Sequence, residues 1–416
     1  MKEQLQKDFD NIIKNLSLSQ RDTEIKQFYL DNFINKGFPN RRDENWKFSD
    51  LNQIIKKNIG ELSFYNDYTS TNKVDTSVFV DGLEHNKIVF INGRIEKIDF
   101  DYEKKDQIEI IDKSETINKF NNNNSLSDLN NAFTNKSFKI IVKNGYQLVK
   151  PLIIYHITNS DIWSKNINLR LDFELGKDSS LRLIDLYNDT SEKNYLNIFY
   201  NFDLKENAVL KNYKVDKLEN KNIKYSFNNI DQDNNSVSET FVLSSGSNIS
   251  KNEINCNLKG EYSSAFENGI FSLKENQQHE IRTTINHLVE NTKSYQLIKG
   301  VIGKISKAAY KGKIFVDSKA QKTDGYQMSR SLLLDNISKA NNKPELEIYA
   351  DDVKCSHGST VSKIDQDQIF YFNSRGISKE AANLLLQKAF IAETLDTIHA
   401  KDIKDFSIKL LDSLLS

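Results

Sequence analysis

Short runs of alternating apolar and polar residues fill the middle of this chain, and they recur at a nearly constant interval. Between about residue 138 and residue 372 they read KIIVKNG, LIIYHIT, INLRLDFEL, SLRLIDLY, YLNIFYNFDL, AVLKNYKV, KIFVD and LEIYA. Alternation over such lengths marks half-buried strands. Polar, small turns precede them at Asp178 to Leu181, Glu206 to Val209 and Asn234 to Val237, with further candidates at Glu261 to Ser264 and Ser306 to Ala309. The early spacing is roughly 28 residues, a period typical of solenoids. In a solenoid each turn buries its inner face only against its neighbours. A β-sandwich with strands of similar length is the alternative. With only three prolines in 416 residues, Asn, Asp, Gly and Ser must punctuate the strands.

Both flanks change period. Phe9, Ile12, Ile13 and Leu16, then Ile25, Phe28, Tyr29 and Phe33, recur at helical spacing, and Gly37 and Pro39 end the run. RRDENWKFSDL (Arg41 to Leu51) predicts a short helix, and KIVFINGRIEKI (Lys87 to Ile98) a hairpin turning at Asn92-Gly93. The stretch Asn121 to Asn124, with SLSDLNNAF after it, reads as a surface excursion. After Arg375-Gly376 the helical period returns, with Ser378 as N-cap and Glu380 in the first turn. Leu384, Leu385, Ala389, Ala392, Leu395 and Ile398 form a stripe, and a second helix carries Ile403, Phe406 and Leu411. That pair either packs on its own solenoid or offers a docking face. The expected division is 1–80 helical, 81–372 solenoid with preceding extended segments, and 373–416 helical.

Composition excludes several classes. Basic and acidic residues number 57 and 58, which leaves no nucleic-acid footprint. Two cysteines cannot build a disulfide framework and point to a reducing compartment. The start, MKEQLQKDFDNIIKNL, lacks the apolar region of a signal peptide, and no run approaches membrane-spanning length, so the expectation is a cytoplasmic protein without a membrane partner. No GxxxxGK[ST] loop is present, so ATP hydrolysis would belong to another chain.

The most distinctive words are ELEIYADDVKCSHGSTV (Glu345 to Val361) and FYFNSRGIS (Phe370 to Ser378). Cys355 and His357 are donor types suited to zinc, copper or iron–sulfur chemistry. At i and i+2 of a strand they share a face, but two donors do not complete a site. His279 and His287, near Glu280 and Glu290, match no standard ligand spacing and read as polar groups of a strand face and a turn. Cys256 reads as a small buried residue. Asp351 and Asp352 either tune the Cys–His pair or sit in a solvated turn. Trp46 and Trp163 carry no argument beyond packing.

The chain resembles the SufD family of iron–sulfur cluster assembly scaffolds over nearly its whole length. The matching words are RRDENWKFSDL, VFINGRI (Val89 to Ile95), HEIRTTINHLVENTKSYQLIKGVI (His279 to Ile302) and GKIFVDSKAQKTDGYQMSRSLLLD (Gly312 to Asp335). They continue with KPELEIYADDVKCSHGSTV and FYFNSRGISKEAANLLLQKAFIAE (Phe370 to Glu393). The resemblance implies a mainly β chain: a right-handed parallel β-helix flanked by amino- and carboxy-terminal helices. It implies the paralogue SufB as partner along the β-helix and the ATPase SufC on the carboxy-terminal helices. SufB-type chains carry a sulfur-accepting cysteine where this chain reads YQMSRSLLL (Tyr326 to Leu334), without a thiol. By position, His357 is then the expected ligand of a transient Fe–S cluster shared with SufB, and Cys355 the weaker one. No permanent cofactor is implied, and no flavin motif appears in the chain. For the isolated chain, monomer and homodimer through the SufB-binding edge are the alternatives. A purely architectural subunit, or a carbohydrate-active β-helix enzyme, are the competing functions; no spacing of carboxylates singles out a catalytic pair for the latter.

Overall fold

The computed structural model describes residues 2–16, 18–64, 79–112, 124–135, 137–159, 162–189, 193–216 and 220–415. Its first strands close one end of a coil. β1 (Asn86–Ile91) and β2 (Arg94–Asp99) form a hairpin turning at Asn92 and Gly93, both in the left-handed region. β3 (Ile108–Asp112) runs antiparallel to β4 (Ser137–Val142).

β5 (Leu152–Thr158), β6 (Asn166–Leu175), β7 (Ser180–Asp189), β8 (Tyr195–Leu204) and β9 (Val209–Asp216) begin the parallel coil. β10 (Asn220–Gln232), β11 (Val237–Ser244), β12 (Ser247–Leu258), β13 (Ser264–Leu273) and β14 (Gln278–His287) continue it. β15 (Lys293–Ile302), β16 (Lys307–Val316), β17 (Thr323–Leu333), β18 (Lys339–Ile348) and β19 (Val353–Lys363) complete it. From β5 on, odd-numbered strands stack in order into one sheet, which β1 and β2 finish. Even-numbered strands stack into the other, which β4 and β3 finish. The expected solenoid is therefore the fold, and the sandwich is not.

One corner of each coil carries a left-handed residue: Asp178, Asn207, Asn235, Tyr262, Asn291 and Lys322, with φ between 56° and 61°. Asn and Asp tolerate that conformation. Asp178, Asn207, Asn235, Asn291 and Lys322 each donate their N–H to the next coil there, as from Asp178 N to Glu206 O (3.0 Å) and Asn207 N to Asn234 O (2.9 Å). Four of the five turn markers sit at this corner. The fifth, Ser306 to Ala309, belongs to the opposite corner, where Lys304 and Ile305 are left-handed. Both corners need the same residue chemistry, so polarity alone does not separate them. Gly260 has a different reason: a Cβ there would lie 2.0 Å from Asn234 N of the adjacent coil.

The interior is filled by alternate residues such as Leu152, Ile154, Leu181, Leu183, Leu210 and Val242. The opposite parity of the odd sheet, including Ile153, Tyr155, Ile184 and Leu243, lies under helices α6 (Lys379–Leu395) and α7 (Lys401–Leu415), which are defined by Ile391, Leu395, Ile398, Ile403 and Leu411. Before them α5 (Gln366–Ser374) starts right after β19, earlier than the boundary expected at 372. Asp365 caps it by accepting from Asp367 N, a signal overshadowed in the sequence by the apolar IFYF.

The amino-terminal helices cover the even sheet. The single helical run resolves into α1 (Lys2–Leu16) and α2 (Gln20–Lys36), because Ser19 is an N-cap that accepts from Asp22 N. RRDENWKFSDL forms a 3₁₀ turn at Glu44–Trp46 and then α3 (Leu51–Asn58), capped by Asp50. It acts as a clasp: Trp46 is buried under Lys251 (4.1 Å from the ring), while Glu44 pairs with Lys311 at 2.7 Å and Lys343 at 3.2 Å. Trp163, expected to pack, is instead 54% exposed, with Lys193 over its ring.

The surface excursion expected at SLSDLNNAF is a correction. It is helix α4 (Ser125–Phe133), capped by Asn124 and buried throughout; Asn121 to Asn123 lie outside the described residues. Leu126, Leu129 and Ala132 bury one face. The asparagines are structural rather than solvating: Asn130 Nδ2 donates to Leu169 O (3.1 Å) and Asn197 O (2.7 Å), and Asn197 Nδ2 returns a bond to Leu126 O (2.9 Å). Buried Lys26 donates to Asn131 O and Thr134 O at the helix end. Polarity identifies the surface only when it is unpaired, and here Asn130 and Asn197 donate to carbonyls across the layer.

Candidate functional site at the open edge

The two ends of the solenoid differ. The antiparallel strands β2 and β3 finish the first end and the parallel strands β18 and β19 the other, and among the described residues each of the four has a strand neighbour on one side only. Pro344 in β18 suits an edge, since proline cannot donate to a ladder on both sides. β19, VKCSHGSTVSK, has no proline and is mostly exposed. A long free edge of this kind is a template for pairing with another chain.

Register places the candidate ligands. Cys355 lies beside Gly325 of β17 and His357 beside Gln327, whose side chain is fully buried in the coil. Neighbours in a parallel ladder face the same way, so Cys355 and His357 prolong interior columns that the last coil leaves uncovered. The Cys355 sulfur sits 3.3 Å from where a Gly325 Cβ would be, so glycine there makes room for the thiol. The thiol also packs against the terminal apolar cluster of Ile314, Val316, Ala320 and Ala350. That burial pushes its pKa up, which favours the neutral thiol. His357 is exposed and has no hydrogen-bond partner among the described residues. Their Cα atoms are about 6–7 Å apart, from the strand rise. Among the described residues no three His, Cys, Asp or Glu side chains converge.

The family comparison falls on this same region. Residues 156–390 match the family model described as SUF system FeS cluster assembly, SufBD core domain. The chain belongs to the SufBD family. It is 27% identical over 388 residues to the iron–sulfur cluster assembly protein SufD of Escherichia coli, covering 91% of this chain and 89% of that one. It is 25% identical to a SufBD family iron–sulfur cluster assembly protein of Synechocystis, over 86% and 84% of the two chains. The chloroplastic protein ABCI7 of Arabidopsis thaliana is also 25% identical, over 92% and 83%. No described helix is long and apolar enough to cross a membrane.

In this SufBD chain the thiol-free stretch Tyr326 to Leu334 lies on β17 up to Leu333, directly beside β19. Asp351 and Asp352 are exposed in the turn before β19, where Asp352 N donates to Gln321 Oε1 (2.9 Å) and Asp352 O accepts from Lys322 N (2.6 Å). His279 is buried, with Nδ1 2.9 Å from Ser244 Oγ and Nε2 2.6 Å from Ser247 O. His287 lies between Thr292 and Ser294, and burial lowers its pKa to about 3. Both are satisfied core histidines.

Cys256 is buried as expected, but it is not in an apolar setting. Its thiol donates to Glu267 Oε1 at 3.1 Å. Burial raises the Glu267 pKa to about 8, against a partial opposing effect of the Cys256 bond. Folded Glu267 therefore keeps a proton that an unfolded glutamate loses near 4.5. Between those values the folded state binds the extra proton, so this group's contribution to stability falls as pH rises. The slope is at most about 1.4 kcal/mol per pH unit. Glu267→Gln removes it: urea midpoints are expected to decline from pH 5 to 8 more steeply in the wild type than in the variant. Parallel profiles would contradict a neutral buried acid.

One buried cluster was not singled out from sequence. Asp185 accepts from Lys214 Nζ (2.6 Å), Tyr187 OH (2.7 Å) and Tyr200 OH (2.9 Å), and His156 Nε2 lies 2.6 Å from it. The signal was parity: in SLRLIDLY, Asp185 has the same parity as Leu181 and Leu183, which face the interior.

Proposed function

We propose that this chain is a non-catalytic scaffold subunit of iron–sulfur cluster assembly. It pairs with SufB through the free β18–β19 edge, and His357, assisted by Cys355, ligates a nascent cluster at the seam. The observation that carries the reading is the placement of both donors on the terminal strand, uncovered and without a complete ligand set. A strand added by a partner extends both sheets by main-chain hydrogen bonds and brings in the missing ligands. The cluster is cargo rather than a resident group. SufC docks on the carboxy-terminal helices, where Phe370 and Tyr371 of α5 and Leu385 of α6 are exposed. Nucleotide-driven movement of SufC then strains the seam.

The test is anaerobic cluster reconstitution on co-expressed SufB and SufC, with this chain supplied as wild type or as His357→Ala. The variant is expected to assemble normally, since His357 makes no structural contact, and to lose roughly tenfold or more in cluster yield, as loss of a ligand does. Normal yield from an assembled variant complex would make the chain an architectural subunit only.

A further inference from the structure

The His357 position is the end of a polar column that runs inside the coil. Strand register stacks Asn212, Thr240, Glu267, Gln296, Gln327 and His357 on successive strands of the odd sheet. The first five are at most 1% exposed. Three of those five also keep an unpartnered buried polar atom, Asn212 Nδ2 and Oδ1, Gln296 Nε2 and Gln327 Oε1, while Thr240 shares a side-chain hydrogen bond with the Glu267 carboxyl. Such atoms are rare in a folded interior, and those of Gln296 and Gln327, one strand spacing apart at about 4.8 Å, suit bridging waters between Glu267 and the edge.

The even sheet supplies hydroxyls to the same column. Thr283 Oγ1 donates to Gln296 Oε1, and Tyr310 OH lies 3.0 Å from Thr283 Oγ1 and 3.2 Å from Gln296 Oε1. Gln327 Nε2 donates to Tyr310 OH at 3.2 Å. Gly312 leaves space for this junction: a Cβ there would lie 1.8 Å from Gln327 Nε2 and 2.3 Å from Tyr310 OH. The groups facing Glu267 are Cys256 on β12 and Thr240 and Gln296 on the flanking strands, with Tyr310 on β16 beyond them.

We propose that this column is a proton relay joining the buried Glu267 carboxyl to the open edge at His357. One proton leaves a Glu267 oxygen, O–H bonds of Thr283, Tyr310 and intervening waters each break and re-form, and one proton is released at the edge. No other bond changes and no electrons move. The amides of Gln296 and Gln327 orient the waters. The use of this proton in cluster chemistry rests on the seam reading above; the relay itself does not.

The experiment is a pH jump on the isolated chain from pH 6 to 9.5, following the Glu267 carboxyl band by time-resolved infrared, with Glu267→Gln identifying the band. Wild-type deprotonation is expected to be complete within milliseconds. Gln296→Leu and Gln327→Leu, between Glu267 and the edge, are expected to slow it at least tenfold. Asn212→Leu, on the closed side of Glu267, leaves the rate unchanged. Melting temperatures of all variants identify any that are unfolded, and Tyr310→Phe, which removes only the hydroxyl, serves as a second block. Equal rates in every folded variant, or slowing by Asn212→Leu as much as by Gln327→Leu, would overturn the relay. Because no cluster is involved, the relay can fail while His357 remains a ligand, and the reverse.

Discussion

Asp185→Ala is expected to destabilise the solenoid by about 3–5 kcal/mol, the range for breaking a buried ion pair by removing one partner. Asp185 has no exposed side-chain surface and Lys214 has 1%. Burial alone would raise the Asp185 pKa, but Lys214 and His156 overcome it and hold the carboxyl well below the usual carboxylate range. A depressed folded pKa means the contribution is complete above the unfolded value and is lost only as pH falls toward the folded one. The wild-type cluster therefore stays intact through mildly acid pH. Removing the carboxylate strands the Lys214 ammonium 4.9 Å from the Tyr200 ring with no counter-charge. In a coil whose turns contact only their neighbours, the loss should be local first. Hydrogen exchange in β7 and β9 and urea denaturation provide the readout. Asp185→Leu combined with Lys214→Met should recover most of the loss, because an apolar pair of similar volume removes the desolvation penalty. A loss below about 1 kcal/mol for Asp185→Ala would show that the cluster contributes little.

The second large effect concerns association. Phe370 and Tyr371 are 75% and 57% exposed on α5, so Phe370→Asp with Tyr371→Asp should leave folding unchanged. Buried aromatic anchors contribute about 2 kcal/mol or more each to an interface. On the docking proposed above, loss of two, about 4 kcal/mol, implies an affinity for SufC weaker by roughly 1,000-fold. Co-purification and calorimetric titration with SufC would measure it. Unchanged affinity would move the docking surface elsewhere. Truncation after Gly376 is a poorer test of the same idea. It would uncover the apolar face that Ile391, Leu395, Ile398, Ile403 and Leu411 bury on the odd sheet, and the chain would lose solubility and partner together.

That covered face also settles a choice the sequence left open. The stripe on α6 and α7 reads identically whether it packs on its own chain or on a partner. The structure packs the stripe on its own odd sheet, and leaves Leu385 of α6 and Phe370 and Tyr371 of α5 exposed. α4 is the converse case. Its asparagines looked solvated because a sequence shows a polar side chain but not the carbonyl it meets, here Leu169 O and Asn197 O from strands far along the chain.

The sequence by itself determined the solenoid, its period, the hairpin at Asn92-Gly93 and the flanking helices. These are local signals: alternation sets strand faces, turn chemistry sets corners, and motif wording carries the family. Only the tertiary structure decided that β19 is uncovered, that Glu267 faces Cys256, and that Asp185 meets Lys214. It also decided that six polar residues on six strands align into one column ending at His357. Those facts depend on register between segments about 30 residues apart. A one-residue slip there would turn every interior side chain outward. The sequence states each strand's alternation, but the stacking of coil on coil fixes which residues meet.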